Sequence, residues 1–152
     1  MLATEELIQV GFSLHQEGKL EEAENAYKQA LAQDSDNAEI YNLLGVLKLQ
    51  QKDVISAVNF VEKAVEKQPN AYFYETLFQT YIRAKLYKEI VKRAQEVLKK
   101  FPNDFSLMFN LALAYKNLKR NKEAINFYER ALKIDPSSYD AWFNLSHLYS
   151  VE

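Results

Sequence analysis

The stretch that decides the fold is FSLMFNLALAYKNLKRNKEAINFYERALKIDPSS, residues 105–138. Small and apolar residues recur in each half at the spacing of one helical face. They are Met108, Leu111, Ala112 and Tyr115, followed by Ala124, Tyr128 and Ala131. The polar run 119–121 separates the halves, and Pro136 ends the second because proline cannot donate to the preceding turn. The stretch predicts a hairpin of two helices.

The same pattern recurs along the rest of the chain. It occurs upstream over residues 4–37, 38–70 and 71–104, and it begins again over 139–152 without a second half. The period predicts first helices at 4–17, 38–50, 71–84, 105–118 and 139–150, and second helices at 20–33, 53–66, 87–100 and 121–134. We expect Gly18 to close the first turn, and residues 34–37, Asp53 and Asp104 to cap helices.

These positions resemble the tetratricopeptide repeat family, whose first helices carry aromatic, leucine and small residues and whose second helices carry alanines and end at a proline. The resemblance covers residues from about 4 to 150. It implies an all-α fold, an α-solenoid of antiparallel helix pairs with four repeats, one unpaired C-terminal helix and a right-handed superhelix. We expect one domain over residues 4–150.

The third repeat departs most from the family pattern. Phe78 and Ile90 are large where the family has small residues, and Ala94 is small where it usually has an aromatic one. Because these changes compensate one another in volume, we expect the hairpin to form with its helices shifted.

The composition argues against secretion, membrane insertion and nucleic-acid binding. The sequence has no cysteine, no basic leader followed by an apolar run, and no apolar stretch long enough to span a bilayer. Residues 1–70 hold six Lys and Arg against twelve Asp and Glu, and residues 71–152 hold thirteen against nine, giving net charges of −6 and +4. The pI of 5.8 is far below that of a typical nucleic-acid-binding domain. We expect a cytoplasmic protein.

The sequence offers no pattern for catalysis or for a metal. Its three glycines are too scattered for a phosphate-binding loop. His15 and His147 lie in repeats at opposite ends of the chain, too far apart to share a metal ion. We therefore expect no enzyme activity, no metal and no cofactor.

In the family, positions 2, 5, 6, 9, 12 and 13 of each repeat line a concave face, and we call these positions the groove face. Contiguous apolar residues at such positions mark a binding surface. The resemblance implies a partner-binding groove formed by Ile8, Phe12, Leu43, Val46, Leu49, Tyr72, Thr76, Gln79, Ile82, Arg83, Phe109, Asn110, Leu113, Lys116, Asn117, Phe143, Asn144 and His147. The expected ligand is a peptide or an amphipathic segment of a partner protein.

Two comparisons within the family narrow this expectation. Family members that hold the C-terminal carboxylate of chaperone tails need a set of Lys, Arg and Asn residues that no register of this sequence supplies. In style the sequence is closest to the superhelical arrays of O-linked N-acetylglucosamine transferases, in which asparagines recur at position 6. Asn110 and Asn144 match that ladder, whereas Gln9, Leu43 and Thr76 do not. We expect a short ladder at the C-terminal end.

The fifth unit lacks the second helix that would cover it. Trp142, Leu145 and Tyr149 stand where a first helix packs against its partner, so we expect them to be exposed and available for self-association. A homodimer through the C-terminal helix would cover them, and so would a further helix of a longer protein. The sequence thus predicts a non-catalytic interaction module. The alternatives are a structural or oligomerisation scaffold, or a piece of a longer protein, including one with a separate catalytic domain.

Overall fold

The computed structural model of the protein describes residues 1–151. Within them the chain forms ten helices and no strand. The helices are α1 (Thr4–Gln16), α2 (Leu20–Gln33), α3 (Ala38–Gln50), α4 (Val54–Lys67), α5 (Ala71–Arg83), α6 (Tyr87–Lys92), α7 (Ala94–Lys100), α8 (Phe105–Asn117), α9 (Asn121–Ile134) and α10 (Tyr139–Val151). The predicted all-α class is confirmed, and every predicted helix except 87–100 has both ends within one residue of those observed.

The segment 87–100 forms two short helices. α6 ends at Lys92, α7 begins at Ala94, and Arg93 between them has φ −88° and ψ −3°. The N–H of Arg93 is shared between the carbonyl oxygens of Ile90 at 3.1 Å and Glu89 at 3.3 Å, three and four residues earlier. The three-residue hydrogen bond tightens the backbone locally, and the regular α-helix stops before Arg93 and resumes at Ala94. The prediction of one continuous helix over 87–100 is therefore wrong.

A left-handed backbone conformation follows the first helix of each complete pair. Gly18 has φ 79°, while Lys52, Lys85 and Lys119 have φ 63°, 59° and 62°. The N–H of the residue after each donates to a carbonyl oxygen five residues earlier, at 2.8–2.9 Å, which is the hydrogen bond of a Schellman motif. The turn predicted at Gly18 is confirmed.

Side-chain caps are present at several helix starts, three of which lie in turns where the sequence predicts them. Asn37, Asp53 and Asp104 each accept a hydrogen bond from a backbone N–H two or three residues further along the chain, at 3.0–3.1 Å. Such a cap is worth about 1 kcal/mol because it satisfies an N–H that has no partner within the helix. The caps predicted in these three turns are confirmed.

The chain divides into two compact units, Met1–Thr80 and the residues from Tyr81 onward, with the boundary inside α5. In the N-terminal unit, α1 pairs with α2 and α3 pairs with α4. A Cβ added at Gly11 would lie 2.6 Å from the ring of Tyr27, and one at Gly45 would lie 2.3 Å from Val61 Cγ2. These distances are far below the optimal carbon–carbon separation, so each pair depends on its glycine for close approach.

An ion cluster joins α2 to α3. The carboxylate of Glu24, whose side chain is 13% exposed, lies 2.8 Å from Lys28 Nζ and 2.9 Å from Lys48 Nζ. It also accepts a hydrogen bond from the Gln51 amide at 3.2 Å. Burial acts to raise the pKa of Glu24, but the three hydrogen bonds outweigh it and lower that pKa to about 2.

In the C-terminal unit, α8 pairs with α9, and α10 packs on α9. Ala124, Tyr128 and Ala131 of α9 are fully buried, as the repeat pattern predicts for positions of close approach. The rings of Tyr115 and Phe127 stack at 5.4 Å between centroids and 6° between planes. The single domain over residues 4–150 stays a prediction.

Candidate functional site

The groove face of the N-terminal unit combines exposed rings with half-buried aliphatic side chains. Phe12 on α1 is 43% exposed and Tyr72 on α5 is 62% exposed. The partly accessible aliphatic residues are Leu43, Val46 and Leu49, all on α3, and Gln79 on α5 is exposed. Apolar groups that remain accessible in the folded unit are available to a partner.

Two of the predicted groove residues in this unit lie inside it. Ile8 is 7% exposed and packs in the core with Leu7 and Leu44. Thr76 is 8% exposed, and its hydroxyl donates to the carbonyl oxygen of Tyr72 at 3.1 Å. Their contribution to a ligand site is therefore limited to a small part of their surface.

Carboxylates stand beside the apolar side chains of this face. Glu5 and Glu39 occupy position 2 of their repeats and are exposed. They line an open concavity of about 610 Å³ together with Glu6, Ile8, Gln9 and Val10. Within the described residues, no Lys or Arg amine or guanidinium nitrogen forms an ion pair with Glu5, Glu6 or Glu39. The concavity therefore carries uncompensated negative charge.

A histidine and a tyrosine meet at the edge of the same face. His15 is half-buried, with its Nδ1 3.4 Å from the hydroxyl oxygen of Tyr27 and the two rings edge to face at 6.2 Å. Burial raises the pKa of Tyr27 to about 12, and the negative charge of Glu39 adds to this effect. Tyr27 therefore stays a neutral hydrogen-bonding group.

The groove face of the C-terminal unit has a different composition. Phe109 and Leu113 of α8 are half-buried, as are Ile82 of α5 and Lys116 of α8, whereas Arg83 and Asn117 are exposed. On α10, Phe143 is 60% exposed and His147 is exposed. Asn110 is only 7% exposed. Arg83 and Lys116 are the cations at these groove positions and Asp140 is the one carboxylate, whereas the groove positions of the N-terminal unit carry three glutamates and no Lys or Arg.

The two asparagines of the predicted ladder differ in their surroundings. Asn144 Oδ1 accepts a hydrogen bond from Lys116 Nζ at 2.7 Å, and its Nδ2 donates to the carbonyl oxygen of Asp140 at 2.8 Å. Asn110 is buried, as described above. A peptide that used Asn144 would exchange these two bonds for its own, so the net gain per hydrogen bond would be small.

Stacked aromatic pairs recur at the same two positions of the fourth and fifth units. Phe105 and Phe109 have centroids 6.0 Å apart at 25°, and Tyr139 and Phe143 have centroids 6.1 Å apart at 24°. The first pair is half-buried, whereas Tyr139 and Phe143 are 75% and 60% exposed. The second pair is thus the more accessible copy of the same arrangement.

The C-terminal helix buries one of the three residues expected to be exposed. Leu145 is 3% exposed, because it lies with Ala141 and Leu148 on the buried face of α10, which packs on α9. The expected exposure of Leu145 is therefore wrong. Trp142 and Tyr149 are 50% and 52% exposed, so for these two the expectation holds.

Both exposed rings are tethered through their polar atoms. Trp142 Nε1 donates to the carbonyl oxygen of Pro136 at 2.8 Å, and the hydroxyl of Tyr149 hydrogen-bonds to Glu129 Oε1 on α9. This hydrogen bond is the main cause of a raised pKa at Tyr149. The rings are held in place while their apolar surface remains partly accessible.

Comparison with known families decides the identity of the repeat. Residues 11–52 match a family described as TPR repeat, and residues 38–70, 106–138 and 127–151 match families described as tetratricopeptide repeat. Together these segments cover more than half of the chain. The chain belongs to the tetratricopeptide repeat family. The resemblance to this family that the repeated sequence pattern indicated is confirmed.

Tetratricopeptide repeat proteins of known sequence are similar to most of this chain. The human protein O-mannosyl-transferase TMTC3 is 31% identical over 134 residues, which are 84% of this chain and 14% of that protein. Anaphase-promoting complex subunit 6 of Arabidopsis thaliana is 27% identical over 130 residues, 86% of this chain and 19% of that protein. The chain therefore spans less than a fifth of either relative.

A solved structure shares the fold. YrrB, described as a TPR protein with an unusual peptide-binding site, superposes with a TM-score of 0.79 over 95% of this chain and 75% of its own, at 23% identity. The similarity confirms the predicted α-solenoid class of antiparallel helix pairs.

In the part of the chain that the structure describes, no group of three or more His, Cys, Asp or Glu side chains is arranged to hold a metal ion. Among residues 1–151, no helix is both long and apolar enough to cross a membrane.

The tetratricopeptide repeat register assigned residues to the groove face, and this assignment stays a prediction that omitted two features visible in the structure. Tyr139 was not assigned to the site, although it stacks on Phe143 and is 75% exposed. Its place one turn before a groove position would have been a usable signal. The charge of the concavity at Glu5, Glu6 and Glu39 was also missed, because Glu6 lies outside the groove positions and joins the others only in three dimensions.

Proposed function

We propose that the chain is a non-catalytic protein-interaction module that binds a peptide or an amphipathic segment of a partner protein on its groove face. The observation that carries this proposal is the exposure of large apolar side chains at groove positions, with Phe12, Tyr72 and Phe143 between 43% and 62% exposed. Exposed rings beside polar side chains are the usual composition of a recognition surface.

The relatives support this function at the level of the repeat. The plant relative is a subunit of the anaphase-promoting complex, and YrrB is described as having a peptide-binding site. Both descriptions fit a repeat that makes contacts with other proteins. The cytoplasmic location stays a prediction from the sequence.

A catalytic role for the longer protein is the alternative that the human relative raises. TMTC3 is named as a protein O-mannosyl-transferase, and this chain is similar to 14% of it. Under that alternative, the present residues would bind a partner or substrate protein, and the chemistry would belong to another region of the polypeptide.

Selection of peptides from a random displayed library against the purified chain tests the proposal. Selected peptides would be measured by calorimetry against the wild type, Phe12→Ser and Phe143→Ser. Ile55→Ser serves as the matched control, since Ile55 on α4 is 79% exposed and lies outside the groove positions. We expect at least one groove variant to weaken binding about tenfold, equivalent to about 1.4 kcal/mol, and the control to have no effect. Equal affinities for all four proteins would overturn the proposal.

A second set of variants separates an extended ligand from a helical one. An extended peptide needs backbone hydrogen bonds from Asn110 and Asn144, so Asn110→Ala with Asn144→Ala should weaken its binding. An amphipathic helix depends on apolar contacts, so Phe109→Ala should weaken its binding while the double amide variant does not.

We propose self-association through α10 as a second role, because its accessible face carries Tyr139, Trp142, Phe143 and Tyr149, each at least 50% exposed. At about 150–250 Å² per ring, their accessible fractions supply roughly 350–600 Å². A stable interface needs about 800 Å² from each partner, so the expected two-fold dimer is weak and concentration-dependent.

Sedimentation of the wild type, Phe143→Ser and Ile55→Ser at rising concentration tests this role. The wild type and the control should show the same growth in mass, and Phe143→Ser should remain monomeric. A wild type that is monomeric at millimolar concentration would exclude the dimer.

A further inference from the structure

The two units differ in charge, and the difference reaches the groove face. Residues 1–80 contain six Lys and Arg and thirteen Asp and Glu, a net charge of −7, and residues 81–152 contain thirteen against eight, a net charge of +5. Among the groove positions of residues 1–80, Glu5, Glu39 and Glu75 are acidic and none is Lys or Arg. This face is therefore acidic as well as apolar.

The acidic groups lie beside the apolar surface of α1 and α3. The concavity of about 610 Å³ is lined by the carboxylates of Glu5, Glu6 and Glu39 and by Ile8 and Val10. Val10 is 41% exposed, and Phe12, one turn beyond Ile8, is 43% exposed. The volume is in the range of pockets that hold small ligands or side chains. A long cationic side chain suits such a site, because its methylene stem packs on apolar groups while its charged end reaches a carboxylate.

Four of the six lysines of this unit form ion pairs with carboxylates outside the concavity. Lys28 and Lys48 pair with Glu24, Lys67 pairs with Asp36, and Lys19 pairs with Glu17. Glu5, Glu6 and Glu39 lie in the first turns of their helices, where the helix dipole stabilises a carboxylate without an added cation. None of the residues that line this concavity is Lys or Arg, so a cationic ligand would add attraction without displacing one.

We propose that the groove face of the N-terminal unit binds a basic amphipathic segment of a partner protein. A Lys or Arg side chain of the segment enters the concavity lined by Glu5 and Glu39, and its apolar neighbours lie on Phe12 and Val46. The proposal rests on the proposed function and adds the charge of the partner. Negative charge on this face repels phosphate, so nucleic acids and anionic membranes are unsuitable occupants.

Two synthetic peptides of about four helical turns serve as probes, one built of leucine and lysine and one of leucine and glutamate. Binding is measured by fluorescence anisotropy at about 50 mM salt and again at about 500 mM, where surface charges are strongly screened. We expect the lysine peptide to bind the wild type at least tenfold more tightly than the glutamate peptide, with most of this preference lost at the higher salt concentration.

The decisive variants are Glu5→Gln with Glu39→Gln, compared with Glu21→Gln with Glu22→Gln. The control pair removes the same charge from the first turn of α2, where both side chains are exposed. We expect the first pair to weaken binding of the lysine peptide about 5- to 30-fold and the control pair to change it less than twofold. Equal effects of the two pairs would mean that only net charge matters, and the proposed site would be rejected.

Phe12→Ser separates failure of this proposal from failure of the proposed function. If Phe12→Ser weakens binding but the Glu5 and Glu39 pair does not, the groove binds its ligand without the acidic concavity. If neither changes binding, this face is not a groove for either peptide, and the proposed function fails for the N-terminal unit as well. Self-association that is lost only in the Glu5 and Glu39 pair would identify a second copy as the occupant and overturn the partner proposal.

Discussion

In the N-terminal unit, the groove positions carry three glutamates and no Lys or Arg, whereas in the C-terminal unit they carry Arg83 and Lys116 and a single carboxylate, Asp140. Glu39 and Val46 are representative of the first face, and Lys116 and Phe143 of the second. The helices that carry these residues are each 13 residues long. The backbone therefore repeats from unit to unit, while the chemistry of the surface is set by the side chains at a few positions.

The largest expected effect concerns what the two units share. Ala57 on α4 and Ala124 on α9 are fully buried at the same repeat position. Replacing either with leucine overfills the space between paired helices and should cost about 1–3 kcal/mol in the free energy of unfolding. Urea titration followed by circular dichroism measures the cost. Lys133→Leu, at an exposed position of α9, should change stability by less than about 0.5 kcal/mol. If Ala124→Leu and Lys133→Leu lower the free energy of unfolding equally, the helix pairing in the C-terminal unit is contradicted.

The next effect should belong to the N-terminal unit alone. The ion cluster of this unit is centred on Glu24, and the equivalent position of the fourth repeat holds Ile125. Because the folded-state pKa of Glu24 is lowered from 4.5 to about 2, its contribution is complete above pH 4.5 and is lost as the pH falls to about 2. Glu24→Gln should therefore cost about 1–2 kcal/mol at pH 7 and almost nothing near pH 2. Denaturation across this pH range measures the difference, and a cost independent of pH would show that charge plays no part.

How far the sequence alone predicted these features depends on whether their cause is local. The caps at Asn37, Asp53 and Asp104 are local, because each accepts from its own helix, and they were predicted. The interruption at Arg93 was not predicted from the sequence. No Gly or Pro marks it, and it depends on how the whole segment packs. The groove positions were taken from the family resemblance and stay a prediction, whereas the burial of Leu145 depends on the side of α10 that packs on α9.

A smaller effect compares two buried tyrosines at the same repeat position. The hydroxyl of Tyr27 is near His15, whereas in the described residues the buried hydroxyl of Tyr128 has no hydrogen-bond partner. Burial raises the pKa of Tyr128, so that hydroxyl stays neutral. We expect Tyr27→Phe to cost about 0.5–1 kcal/mol and Tyr128→Phe to be neutral or stabilising. Thermal unfolding of the two variants tests this, and a larger loss at Tyr128 would contradict the expected order.

The smallest effect concerns the turns. Lys52 and Lys119 adopt positive φ, which costs an L-residue with a side chain about 1 kcal/mol that glycine avoids. Since glycine also loses more entropy on folding, Lys52→Gly and Lys119→Gly should each stabilise by about 0.3–0.8 kcal/mol. Gly18→Ala should destabilise by a similar amount. The three variants are compared by urea titration, and a loss of stability in both lysine variants would count against the turn geometry.

The interruption at Arg93 should make the second helix of the third repeat open more easily than the continuous helix α9. α6 and α7 have six and seven residues, and neither is long enough to be stable without tertiary contacts. Opening at Arg93 breaks few backbone hydrogen bonds, so each half opens at less cost than the continuous fourteen residues of α9. Amide hydrogens of residues 87–100 should therefore exchange with solvent sooner than those of α9, and a mechanical load along the chain should release this segment first.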